Sequence, residues 1–134
     1  MAEDTPTARP RLTHVVLGSP RPRELAEFYH RLLGWAYDMM DGDWVTLKAP
    51  EGAGLGFQLE DAHRRPVWPS SGDGAPSGAA DAQQMQLHLD FVVDDLEVAV
   101  AAATGLGATV AGYQPQDDVR VMLDPDGHPF CLFT

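Results

Sequence analysis

Two histidines occupy corresponding places in the two halves of the chain and have the right chemistry to bind a metal or a small molecule. His14 lies in residues 12–17, a β-branched and apolar run typical of a strand, and His88 lies in a second run, residues 86–93. Imidazole nitrogens are good ligands for zinc, nickel and iron. The alternative is that each is a structural histidine within a sheet. Symmetric placement favours function, although shared descent of the halves would leave the same pattern.

A second symmetric pair of residues lies in the last predicted strand of each half. Phe57-Gln58-Leu59 aligns with Phe130-Cys131-Leu132, which pairs Gln58 with Cys131. A glutamine carbonyl is a weak donor, whereas a cysteine thiolate is strong and soft and favours zinc or cobalt. Nothing in the sequence lowers the pKa of Cys131. A free cysteine is commonly a small buried residue, and we interpret Cys131 in this way.

The elements around these residues repeat in order, which predicts two copies of a strand-helix-three-strand module. Module one has a helix with Ser19 as its predicted N-cap and Gly34 as its end. Module two has a helix with Asp94 as its predicted N-cap and Gly105 and Gly107 at its end. The three strands after each helix are predicted at residues 36–40, 44–48 and 55–60, and at 109–112, 119–123 and 129–133. A pseudo-twofold axis would make His14 and His88 face each other.

Length and composition fit one α+β domain, residues 1–134. It divides into a tail at 1–10, module one at 11–60, a connecting loop at 61–84 and module two at 85–134. The 134 residues carry a net charge of −11, which argues against nucleic acid as a partner. No apolar run approaches the roughly 18 residues that span a bilayer, so no membrane association is expected. The single cysteine and an acidic N-terminus without a signal-peptide pattern indicate a cytoplasmic protein.

The chain resembles the vicinal oxygen chelate superfamily of glyoxalase I, extradiol dioxygenases and bleomycin-resistance proteins. The resemblance covers residues 11–134, and its last segment looks most like an actinobacterial glyoxalase-like subgroup. It implies two βαβββ modules that form a curved eight-stranded sheet around a cavity, usually in a homodimer. The motifs that carry it are Leu12-Thr-His14-Val, Glu27-Phe28-Tyr29, Leu33-Gly34, His88-Leu-Asp-Phe-Val-Val-Asp94-Asp95-Leu96, Gly107-Ala108 and Asp124-Pro-Asp-Gly127.

The resemblance also implies where a metal would bind. In metal-dependent members each half offers one ligand from its first strand and one from its last, which by position are His14, Gln58, His88 and residue 131. The last ligand is usually glutamate, also used as a base by lyase and isomerase members, and Cys131 departs from this pattern. Without a glutamate at residue 131, the cofactor that the resemblance still allows is zinc, nickel or iron, held by His14, Gln58 and His88. No catalytic residue is assigned.

Aromatic side chains are the remaining candidates for ligand contact. Core packing is the alternative for each, except that Trp68 lies in the connecting loop, where residues 66–69 are expected to fold over the cavity mouth. The predicted lining residues are His14, Trp35, Trp44, Phe57, Gln58, Trp68, His88 and Phe130, with Tyr113 as a further candidate.

Three functions follow from these residues. The first is a metal-free protein that sequesters an aromatic or cationic small molecule such as an antibiotic, favoured by the acidic charge and the missing glutamate. The second is a divalent-metal-dependent lyase, isomerase or dioxygenase. The third is an accessory protein without chemistry of its own.

Overall fold

The computed structural model describes residues 8–68 and 83–134 and contains the predicted elements in the predicted order. Residues 1–7 of the tail and 69–82 of the connecting loop, including Pro69, lie outside the described residues. Module one consists of β1 (His14–Ser19), α1 (Pro22–Leu33), β2 (Ala36–Asp41), β3 (Trp44–Lys48) and β4 (Gly54–Leu59). Module two consists of β5 (Leu89–Val92), α2 (Leu96–Gly105), β6 (Thr109–Val110), β7 (Val119–Leu123) and β8 (Pro129–Phe133).

Each module forms its own four-stranded mixed sheet. The strand orders are β1-β4-β3-β2 and β5-β8-β7-β6, and in both sheets the first strand runs parallel to the last. The α+β class and the paired modules are confirmed, but the eight strands do not form one continuous hydrogen-bonded sheet. A cavity of about 260 Å³ separates β1 from the chain entering β5 and is lined by Val16, Leu17, Met85 and Leu87 among others. The two sheets therefore stay open towards each other.

Helix α1 begins after Arg21, two residues beyond the start predicted from Ser19. Ser19 is not the N-cap, and its hydroxyl instead accepts a hydrogen bond from the Arg21 backbone N–H at 2.9 Å. The same hydroxyl donates to Asp126 of module two. The helix ends as predicted at Gly34, whose φ of 73° is in the left-handed region that favours glycine.

Helix α2 is capped by Asp95, whereas the sequence predicted Asp94 as its N-cap. The Asp95 side chain accepts a hydrogen bond from the Val98 backbone N–H at 3.0 Å. Asp95 also has the extended backbone conformation of an N-cap residue.

Within the described residues, no helix is long and apolar enough to cross a membrane.

One core lies beneath both sheets and joins the modules. Tyr29 of α1 packs against Phe57 of β4, with ring centroids 5.7 Å apart, and against Phe130 of β8 at 6.1 Å. All three side chains are fully buried. Burial of an aromatic side chain of this kind contributes about 1.5–3 kcal/mol. The helix faces of the two sheets therefore meet in one packed core.

Candidate functional site

Strand alternation decides which side chains can reach a ligand. Val15, Leu17, Phe57, Phe130 and Leu132 point into the core. Their chain neighbours point to the opposite face, because successive strand residues alternate. This face is the candidate site, and in module two it carries His88, Asp90 and Cys131.

In module two, three donor atoms converge at one point. Asp90 and Cys131 are register partners on β5 and β8, and His88 precedes Asp90 by two residues on the same face. The His88 Nδ1 atom lies 3.0 Å from Asp90 Oδ1 and 3.8 Å from Cys131 Sγ. All three donor atoms lie within 4.8 Å of one another. This grouping could hold a metal ion, and the sequence prediction did not include Asp90.

A cavity of about 380 Å³ opens beside this cluster, and its walls are mainly apolar. Trp68 of the connecting loop stacks on His88, with centroids 4.8 Å apart and planes 15° from parallel. Among the described residues that line the cavity, Asp90 is the only one with a carboxylate. The lining is completed by Cys131, Pro115, Gln116, Val119, Val121 and Phe133. Such a volume and composition suit a small aromatic molecule.

Cys131 is not an activated nucleophile in this setting. Burial raises the pKa of its thiol to about 11, and the nearby Asp90 carboxylate adds to the rise. The thiol is therefore protonated at neutral pH. Asp90 and Cys131 also face the same nitrogen of His88, whereas a catalytic triad uses both ring nitrogens.

Module one has a different arrangement around His14. The His14 ring meets the edge of Trp44 at 6.0 Å, and its Nδ1 atom lies 3.2 Å from the Thr13 hydroxyl. The Trp44 ring in turn lies over Gly56, where an added Cβ would come within 2.6 Å of the indole. The tryptophan thus fills the space beside His14.

The sheet register also corrects the predicted pairing of Gln58 with Cys131. In module two, Cys131 pairs with the residue two places after His88. In module one, the residue two places after His14 pairs with Gly56, which has no side chain to offer. Gln58 is two residues further along, about 7 Å away. The connections before β4 and β8 both have five residues, at 49–53 and 124–128, so the alignment of Phe57 with Phe130 is two residues out of register.

The predicted aromatic residues are divided between the core and the open face. Phe57 and Phe130 lie in the core, not along a cavity, because they share the helix face of their sheets. Trp35 packs at the margin of the same core. Trp44 and Trp68 lie on the open faces, and Tyr113 is exposed outside the cavity walls.

A buried polar network at the junction of the modules escaped the sequence prediction. Asp124 is fully buried and accepts hydrogen bonds from the Tyr29 hydroxyl at 2.8 Å and from His128 Nδ1 at 2.9 Å. His63 stacks on His128 with centroids 4.7 Å apart. Its Nε2 donates to the Asp126 carbonyl at 2.8 Å. The turn motif Asp124-Pro-Asp-Gly127 was the only sequence signal, and it indicates a turn and not a network.

The sequence model of the glyoxalase-like domain family matches residues 14–133. The chain belongs to this family. Its place in the vicinal oxygen chelate superfamily is thereby confirmed, while the actinobacterial subgroup stays a prediction. A search of curated proteins finds no significant match.

Solved structures of the family share the fold at low sequence identity. A glyoxalase/bleomycin resistance protein/dioxygenase family enzyme from Burkholderia phytofirmans PsJN is 18% identical, with a TM-score of 0.66, covering 92% of this chain and 97% of the other. A glyoxalase-related enzyme from Fulvimarina pelagi is 17% identical, with a TM-score of 0.62 and coverages of 92% and 86%. A glyoxalase/bleomycin resistance protein from Albidiferax ferrireducens T118 is 20% identical, with a TM-score of 0.56 and coverages of 91% and 96%.

The four positions that the superfamily would use for a metal do not fit one ion here. His88 and Cys131 are adjacent, but His14 is not part of their cluster. Gln58 pairs with Gly18, four residues and about 13 Å beyond His14 along β1. The place between them is filled by Trp44 over Gly56. The ligand set His14, Gln58 and His88 predicted from sequence is therefore not supported by the geometry.

Proposed function

We propose that this glyoxalase-like protein binds a small planar aromatic molecule that carries a positive charge, in the cavity beside Trp68. The observation that carries the proposal is the stacking of Trp68 on His88 beside a carboxylate, Asp90. An indole face supplies stacking and cation–π attraction, each worth about 0.5–2 kcal/mol. Asp90 supplies the opposite charge, and the Asp90 side chain is 57% exposed, so a ligand can reach it.

The whole molecule supports the same ligand class. A net charge of −11 raises the local concentration of cations and repels anions. The cavity of about 380 Å³ falls in the range of small-molecule sites, about 300–1,000 Å³. Sequestration of a cationic aromatic compound such as an antibiotic, without a metal, is the biological role that we propose. A cytoplasmic homodimer is part of this proposal, and superfamily members are often dimeric.

Calorimetric titration of chelator-treated protein with proflavine, a planar aromatic cation, tests the proposal. We expect saturable binding, with 1-naphthoate, a planar anion, binding at least about tenfold more weakly. Trp68→Ala should weaken proflavine binding about tenfold, because it removes the stacking surface.

Matched charge variants provide the control. Asp90→Asn and Asp38→Asn change the net charge equally, and Asp38 is an exposed residue of β2 outside the cavity. We expect only Asp90→Asn to weaken proflavine binding by several-fold. Equal binding by the two variants, or equal binding of proflavine and 1-naphthoate, would contradict the proposal.

A metal-dependent lyase, isomerase or dioxygenase is the second candidate function. It is favoured by the convergence of His88, Asp90 and Cys131. Related structures described as enzymes show that the fold also occurs in enzymes. Metal binding by this cluster therefore needs a test of its own.

A further inference from the structure

We propose that His88, Asp90 and Cys131 form a three-ligand site for a thiophilic divalent cation, zinc above all, built by module two alone. This goes beyond the proposed small-molecule function and uses neither His14 nor Gln58. The three donors are an imidazole nitrogen, a carboxylate oxygen and a thiolate sulfur, and zinc accepts all three types. Binding of the metal displaces the Cys131 thiol proton to solvent.

The distances agree with zinc coordination. Zinc bonds of about 2.0–2.1 Å to nitrogen, 2.0–2.2 Å to oxygen and 2.3 Å to sulfur, at tetrahedral angles, place nitrogen and sulfur about 3.6 Å apart and nitrogen and oxygen about 3.4 Å apart. The corresponding separations here are 3.8 Å and 3.0 Å. Side-chain shifts of a few tenths of an ångström would bring these two pairs of atoms to the coordination distances.

The backbone fixes two of the three ligands relative to each other. Asp90 and Cys131 are direct register partners on parallel strands, so the sheet ladder sets their separation. His88 lies on the same face, and the stacked Trp68 ring restricts its imidazole. Cys131 is 5% exposed and forms the floor of the site, whereas the Asp90 side chain is 57% exposed and leaves an entry path.

Three protein ligands leave the fourth tetrahedral position open. The cavity of about 380 Å³ shares His88, Asp90 and Cys131 as lining residues, so a water molecule or a ligand donor atom could occupy that position. A bound dication would also neutralise Asp90. Zinc and an aromatic cation are therefore expected to compete, and the two proposals are tested separately.

Cobalt(II) titration in the absence of any organic ligand tests the metal site. We expect a saturable near-ultraviolet thiolate-to-cobalt charge-transfer band, which added zinc abolishes. Cys131→Ser should remove the band. Asp90→Asn should weaken cobalt binding at least about tenfold, because even loss of a residue outside the ligand shell costs about 10–100-fold. Asp38→Asn and His14→Ala should bind as the unmodified protein does.

Circular dichroism checks that Cys131→Ser and Asp90→Asn are folded. If Cys131→Ser fails to fold, Asp90→Asn still tests the site, because Asp90 is at the surface. Absence of a saturable band, loss of binding in His14→Ala, or equal affinity in Asp90→Asn and Asp38→Asn would each overturn the proposal. Proflavine binding to chelator-treated protein is independent of these outcomes, so failure of one proposal is distinguishable from failure of the other.

Discussion

At the residue scale, Asp124 shows how the fold accommodates a buried carboxylate. Its oxygens accept hydrogen bonds from the Tyr29 hydroxyl, from His128 Nδ1 and from the backbone N–H groups of Asp126 and His128. A buried charge is tolerated only when it is fully hydrogen-bonded. Asp124 thus ties α1 of module one to the last hairpin of module two.

Tyr29→Phe is expected to destabilise the protein by about 1.5–3 kcal/mol, the range for a hydrogen bond to a charged group. Tyr37→Phe is the matched control, because Tyr37 is only partly buried and stacks on His30, a contact that phenylalanine retains. It should change the free energy of unfolding by less than about 0.5 kcal/mol. Urea denaturation of both variants measures the difference, and similar effects would contradict the role of Asp124.

The pH dependence of stability gives a second readout on Tyr29. Burial, and then the Asp124 carboxylate, raise the pKa of Tyr29 well above its ordinary value. The unfolded chain therefore loses this proton first, above about pH 10, and stability falls as the pH rises further. Tyr29→Phe removes this contribution, so its stability should fall less steeply in that alkaline range.

At the element scale, α2 depends on a single side-chain cap. Asp95 and Asp94 are adjacent aspartates, but only Asp95 bonds the Val98 backbone N–H. Asp95→Ala should cost about 1 kcal/mol of folding free energy, because that N–H loses its partner. Asp94→Ala, at an exposed neighbouring position, should change stability by less than about 0.5 kcal/mol. Thermal unfolding followed by circular dichroism compares them, and the reverse order would refute the assignment.

At the whole-molecule scale, two separate sheets share one core. Phe28 and Tyr29 of α1 both pack against Phe130 of β8, and Ser19 hydrogen-bonds Asp126 across the same junction. Because the buried surface of each module is completed by the other, neither can keep its core after the other unfolds. The modules are therefore expected to unfold together.

Phe130→Leu in module two should lower the midpoint of unfolding of module one as well. The cost should be below the roughly 3–5 kcal/mol of a change to alanine, since leucine fills most of the space. Trp44, kept as the only tryptophan by Trp35→Phe and Trp68→Phe, reports on module one, and circular dichroism reports on the whole chain. Coincident transitions are expected with and without Phe130→Leu. A Trp44 transition that does not move would show independent modules.

The repeat could be predicted from the sequence because helices and strands have characteristic local patterns of residues. Apolar periodicity, Gly34 and the paired histidines are features of short segments, and they predicted the element order and two modules. The helix starts were less accurate. Asp94 satisfies the same local rule as the true N-cap Asp95, whereas α1 begins after Arg21, which has no side-chain cap. The Ser19 hydroxyl is engaged instead in a tertiary contact with Asp126.

The sequence by itself determined the α+β class, the duplicated module and the place of His88 at the candidate site. Only the tertiary structure decided that Asp90 joins His88 and Cys131, that Trp44 fills the matching space over Gly56, and that Phe57 and Phe130 are core. The physical reason is register. A two-residue shift between strands leaves every local pattern unchanged and moves each side chain by about 7 Å, which exceeds the spacing of donors around one metal ion.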